Sequence, residues 1–194
     1  MILDKISDQP LSEEKYEQRK KDAASENTDS SIELTKLQNL GYCHKDFYSG
    51  NILQDEGFSY VSDFGLTGPA DKQKSNDKIY GVLPYIAPEV LNGEPYTLTS
   101  DIYSFGVIMA ELSTVNPPFY DRKHYVSLAL DICNGLRPEF YKELANKCMN
   151  ANPKLRRTVI ELNEIIIFWD NSIRFIEENE AETIPYDIFV EMKL

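Results

Sequence analysis

Asp46, Asn51 and Asp63 stand five and twelve residues apart in YCHKDFYSGNILQDEGFSYVSDFG, residues 42–65, and supply two carboxylates and an amide. Hard oxygen donors of this kind suit Mg²⁺ and a phosphate substrate better than Zn²⁺, which takes nitrogen and sulfur. The residues between them explain how the three could meet. Ile52-Leu53 and Phe58 to Val61 are short apolar runs, with Asp55-Glu56-Gly57 between them. This pattern predicts a two-stranded hairpin with a polar loop at each end. A hairpin brings both loops to one edge, where Asp46, Asn51 and Asp63 can converge.

The same stretch resembles a known family. HKDFYSGN is similar to the catalytic loop of eukaryotic protein kinases, Asp63-Phe64-Gly65 to their metal-binding motif, and Ala87-Pro88-Glu89 to the end of their activation loop. The order and spacing of the three carry the resemblance, since each alone is weak. It implies an α+β, mostly helical fold: a protein-kinase-like C-terminal lobe with a small β-hairpin. It also implies ATP and Mg²⁺ as cofactors and a protein as substrate or partner.

Residue by residue, the resemblance makes Asp46 the group that accepts the substrate hydroxyl's proton, and Asn51 and Asp63 the Mg²⁺ ligands. Leu53 would touch the adenine ring from below, completing a cofactor-binding set with Asn51 and Asp63. His44 is expected as a packing residue in an internal apolar column with Phe64, and Gly65 as the sharp backbone turn after the metal ligand. Glu89 and Arg156 match a buried ion pair suited to the two-pronged arginine fork. Asp101 matches an aspartate that holds the catalytic-loop backbone, and with Thr99 and Ser100 it could also cap its helix.

Several positions depart from the family pattern. Lys45 replaces an arginine and can attract a loop phosphate only as a point charge. Tyr48 stands where serine/threonine kinases place a lysine that contacts the γ-phosphate, and Val82 where they place a threonine near the base. The Ala-Arg pattern of many tyrosine kinases is also missing between Asp46 and Asn51. A serine/threonine kinase similar to the tyrosine-kinase-like branch is the first expectation, a tyrosine kinase the second.

The resemblance covers about residues 32–179, the large lobe. No GxGxxG occurs in the 194 residues, nor a lysine in a V-A-I-K setting, so the N-terminal lobe is expected to be missing. Three readings follow: a partial kinase catalytic domain acting in signalling, a non-catalytic kinase-derived fragment (pseudokinase or scaffold) that binds partner proteins, and a truncated gene product. Self-association through the bare small-lobe face, beside Leu53 and Phe64, would accompany such a truncation.

Composition narrows the classes further. Hydrophobic residues are 42% and charged residues 27%, an ordinary globular balance for one domain. A net charge of −12 argues against a nucleic-acid partner, which needs clustered Lys and Arg. Cys43, Cys133 and Cys148 are odd in number and lack metal-ligand spacing, which points to thiols in a reducing compartment, cytoplasmic or nuclear. No apolar run approaches the length of a signal peptide or a membrane span.

The remaining elements follow from periodicity. Residues 1–31 hold eight acids and five bases with no apolar stripe, and read as a disordered segment or a solvated helix. Ile32, Leu34, Leu37 and Leu40 predict a short helix stopped by Gly41. Residues 66–88 form a long polar loop, with Thr67, Ser75 and Tyr80 as conceivable phosphosites by resemblance to an activation loop. From Thr99 an apolar pattern on all sides predicts a fully buried helix. Residues 121–134 and 140–150 predict two more helices, and a last one runs from Thr158 to about Asn179. The tail, 180–194, is acidic.

Overall fold

The computed structural model describes residues 29–55, 58–70, 79–114, 116–122, 126–138 and 143–167. Most of the charged N-terminal segment, Ser75, the end of the last expected helix and the acidic tail lie outside the described residues.

The molecule is built around helix α3, Leu98–Thr114, the element predicted from its all-round apolar pattern. Every residue from 101 to 110 is buried. Phe105 stacks on Phe47, with ring centroids 5.9 Å apart and planes 10° from parallel. On another side Gly106 lets helix α5, Glu143–Cys148, cross at close range. A Cβ on Gly106 would lie 2.8 Å from Met149 Cγ and 2.9 Å from Cys148 Cβ. Glycine is there for proximity.

Shorter helices complete the layer. Helix α2, Pro88–Leu91, lies beside α4, Val126–Cys133, which buries Leu128 and Ile132. Helix α6, residues 159–167, buries Val159, Leu162 and Ile166, a single face at spacings of three and four. Thr158 and Glu161 start it with a reciprocal capping box: Thr158 N–H donates to Glu161 Oε2 at 2.8 Å, and Glu161 N–H to Thr158 Oγ1 at 3.2 Å.

Helix α1 covers residues 29–39 and begins inside the stretch expected to be solvated. The reason is polar burial. Ser30 and Ser31 are fully buried, Ser31 Oγ donates to Asn163 Oδ1 at 2.8 Å, and Asp29 accepts from Ser59 N–H at 2.8 Å. These bonds fix the helix start, and Leu34, 1% exposed, anchors the rest of α1 in the core.

The β-structure is small. Strands β2, Ile52–Asp55, and β3, Phe58–Val61, form the expected antiparallel hairpin, with Ile52 opposite Val61 and Leu53 opposite Tyr60. Alternation puts Ile52 and Val61 in the core and turns Leu53 and Tyr60 outward. A second pair was not expected: β1, Tyr42–Cys43, bonds antiparallel to β4, Gly68–Pro69. Two-residue strands carry no readable period, so only the tertiary fold creates them. No helix among the described residues is long and apolar enough to cross a membrane.

Candidate active site

Residues 44–51 join β1 to β2 and bring Asp46 and Asn51 together. Asn51 Nδ2 donates to the Asp46 carbonyl at 2.8 Å and lies 3.4 Å from its Oδ2. Both amide hydrogens are committed on that side, so Oδ1 is the oxygen Asn51 has left for a cation. Ser62 fixes the next member: its N–H and Oγ both donate to the Asn51 carbonyl, at 2.8 and 2.9 Å. Asp63 follows directly, at the end of the hairpin.

Asp63 has φ 57° and ψ 64°, a left-handed conformation that aspartate tolerates better than most residues. Its side chain is exposed, and Oδ1 accepts from Gly65 N–H at 3.3 Å. Leu53, one step beyond Asn51 and its neighbour Ile52, is exposed on the outer face of the hairpin. An amide oxygen and an exposed carboxylate are the hard donors Mg²⁺ takes, and this pair fits such an ion. Among the described residues no three His, Cys, Asp or Glu side chains gather as a metal cluster.

Asp46 itself is half-buried, and burial raises its carboxyl above the usual range; the Asn51 amide and the His44 ring act the other way, while the Asp63 charge adds to the rise. Its Oδ1 is buried without a hydrogen-bond partner. His44 is completely buried, with Nε2 3.0 Å from the Ser62 carbonyl, which calls for a proton on Nε2. Nδ1 has no partner, and burial holds the imidazole below its ordinary pKa. Its ring centroid lies 5.4 Å from Phe64 and 5.7 Å from Phe47. His44 therefore packs against both rings, but Phe64 is 51% exposed, so the contact between them is not the fully internal column the resemblance implied.

Helix α3 supports the loop from below. Asp101, fully buried, accepts from His44 N–H at 2.7 Å and Lys45 N–H at 3.1 Å. Burial pushes its carboxyl up to about 7, against those two N–H groups and the Lys45 charge. The capping role falls elsewhere: Ser100 Oγ accepts from Thr97 N–H at 3.1 Å, while the Asp101 carboxylate is committed to the loop. Lys45 takes φ 73° there, and its ammonium lies against Gly68 of β4.

Glu89 and Arg156 form the expected pair, with Arg156 Nη1 and Nη2 at 2.7 and 2.6 Å from the two carboxylate oxygens. Arg156 also donates to the Thr99 and Asn150 carbonyls, both at 2.8 Å. The guanidiniums of Arg156 and Arg137 each lie 5.2 Å from the centroid of the Tyr103 ring.

Several positioning roles were not singled out from the sequence. Tyr85 donates to Glu111 Oε2 at 2.6 Å, stands 3.2 Å from Ser49 Oγ, and packs its ring near Tyr48. Ser104 Oγ donates to the Tyr85 carbonyl at 2.8 Å, and Ser100 Oγ to Glu89 Oε1 at 3.2 Å. One signal was available. Ser100, Asp101 and Ser104 are polar at spacings of one, three and four in a helix otherwise buried all round, so they share one face.

The chain thus combines a large helical layer with a hairpin at its edge, Asp46 and Asn51 on the loop that enters the hairpin and Asp63 at its end. The protein kinase domain family matches residues 19–168 of the chain, more than half of it. The chain belongs to the eukaryotic protein kinase family. It is 33% identical over 142 residues to a protein of Dictyostelium discoideum named as a probable serine/threonine-protein kinase, which covers 69% of this chain and 8% of the relative. It is 28% identical over 163 residues to the serine/threonine-protein kinase dst3 of the same organism, 78% of this chain and 29% of that one. Ribosomal protein S6 kinase alpha-2 of Homo sapiens is 37% identical over 125 residues, 62% of this chain and 17% of that kinase. The chain thus spans less than a third of the length of each of these relatives.

Proposed function

We propose that these residues form the large-lobe half of a serine/threonine protein kinase site, which transfers phosphate from ATP with Mg²⁺ to a protein hydroxyl in signalling. The observation that carries this is the Asn51 side chain, which spends its amide hydrogens on Asp46 and keeps an oxygen for a cation. In the proposed site Asn51 and Asp63 hold Mg²⁺, Leu53 lies under the nucleotide base, and Asp46 takes the hydroxyl proton. When bound, the metal neutralises phosphate charge. Asp46, raised above its usual range by burial, orients the acceptor oxygen and receives its proton. Asp101 and Arg156 hold the loop and the 87–89 segment in place. The names of the relatives support serine or threonine as acceptor, with tyrosine second. Cys43 and Cys148, buried free thiols, support a reducing setting, cytoplasmic or nuclear.

Transfer also needs a covering Gly-rich loop and a lysine–glutamate pair. No GxGxxG lies within these 194 residues, and the proposed site is one-sided without such a lobe. Positioning can supply ~7–11 kcal/mol of a barrier, so the 194-residue chain alone is expected to show negligible transfer. Radiolabelled phosphate transfer tests this. A chimera with a related small lobe before Ile32 should label protein substrate, and Asp46→Asn or Asp63→Asn should abolish it. Inactive chimeras, or labelling indifferent to Asp46, would refute the assignment.

A second reading, a non-catalytic fragment that binds partner proteins, is favoured by one observation. Leu53 is 55% exposed and Phe64 51%, high values for large apolar side chains. Sedimentation should then reveal self-association that weakens in Leu53→Lys. A monomer at all concentrations, with no hydrophobic-dye binding, would count against it.

A further inference from the structure

We propose that Tyr96 is a positioning residue, whose hydroxyl brackets the backbone of Tyr80 and thereby holds Gly81 against Asp46. This rests on the reading of Asp46 as the central acid of the site, but its test does not depend on activity. Tyr96 is buried in the loop between α2 and α3. Its hydroxyl donates to the Tyr80 carbonyl and accepts from the Tyr80 N–H at 3.2 Å. One oxygen thus engages both polar groups of a single residue. Tyr80 itself is 48% exposed, so the bracket holds a residue at the surface.

The next residue is the point of contact. Gly81 has φ 105°, a conformation L side chains rarely adopt. A Cβ there would stand 3.3 Å from Asp46 Oδ1 and 3.3 Å from the Lys45 carbonyl. Asp46, Gly81, Tyr85, Tyr96 and Ser104 share the lining of one small, half-open pocket beside the loop that carries Asp46. Ser104 grips the Tyr85 carbonyl on the far side of the same segment. The stretch from Tyr80 to Tyr85 is therefore pinned at both ends by side chains anchored at or just before α3. The same helix, through Asp101, holds the loop that carries Asp46. The spacing between acid and segment is set by α3 and the loop entering it, and Tyr96 sets one end of it.

The variant Tyr96→Phe removes only the oxygen. Amide exchange of Tyr80, Gly81 and Val82 should accelerate about tenfold or more, since the variant removes both hydrogen bonds of the bracket, while α3 and α5 exchange as before. The Asp46 side-chain carboxyl ¹³C resonance should shift in the same variant. Tyr80→Ala is the control: the bracket uses only backbone atoms, so exchange at 80–82 should stay slow. In the unaltered chain the Tyr80 amide should itself be protected, a measurement that needs no variant. A Tyr80 amide that exchanges freely, an unchanged rate at 80–82 in Tyr96→Phe, or acceleration spread evenly over α3 and α5 would each overturn the proposal. If the bracket is present but chimeras of the kind described above are inactive, the functional reading fails and the positioning role stands.

Discussion

Arg156 closes both arms of its guanidinium on the two carboxylate oxygens of Glu89, across 67 residues of sequence, with no exposure of its side chain. A buried pair of this kind is strong evidence of placement and weak evidence of net stability, because desolvation offsets much of the attraction. Removing one partner is a different matter. Arg156→Ala leaves Glu89, whose side chain is only 13% exposed in the intact pair, with the Ser100 hydroxyl in place of its cation, and removes the arginine donor from the Thr99 and Asn150 carbonyls. The expected loss is ~3–5 kcal/mol in denaturant unfolding. Arg156→Lys should recover only part, since an ammonium cannot reach both oxygens in a fork. Equal stability of Arg156→Lys and the parent would show that the fork is not what matters.

The interior of α3 gives a paired test of packing. Phe105→Ala empties the space against Phe47 and should cost ~3–5 kcal/mol. Gly106→Ala adds one methyl where Met149 and Cys148 already stand within 2.9 Å, and should cost ~1–3 kcal/mol by overpacking. Opposite volume changes at adjacent positions both destabilise only in a close-packed core. A Gly106→Ala chain as stable as the parent would place α5 farther from α3.

Asp101 should matter through the donors it satisfies. Asp101→Ala leaves the His44 and Lys45 N–H groups buried and unpaired, at ~1–3 kcal/mol for each. The same variant should speed exchange of those two amides specifically. Stability within ~1 kcal/mol of the parent would mean that other acceptors take over.

His44 predicts a pH dependence. Burial lowers its folded pKa below the ordinary 6.5, so the unfolded chain binds the proton first as pH falls. The contribution is present above pH 6.5 and is lost as pH drops through the folded pKa. His44→Phe keeps an aromatic ring between Phe47 and Phe64 and cannot titrate. The parent should therefore lose stability faster than His44→Phe as pH falls below 6.5, and parallel curves would show that His44 does not titrate on unfolding.

The family was legible through resemblance, while the hairpin from 52 to 61 and the buried helix from Thr99 onward were legible from residue types at fixed spacing. These features rest on local periods and on side chains whose chemistry does not depend on context. The Glu89–Arg156 match and the placement of Asp101 under the loop were also legible, through resemblance. Tertiary structure alone decided the β1–β4 pair, the Tyr85–Glu111 bond, the Tyr96 bracket and the bonds of Asp29 to Ser59 and Ser31 to Asn163 at the start of α1. Each joins residues far apart in sequence through a hydroxyl or a backbone group. Such groups leave no period in the chain, because every residue but proline carries the same N–H and every residue the same carbonyl. Which of them meet is fixed only when the apolar face of α3 has chosen its neighbours.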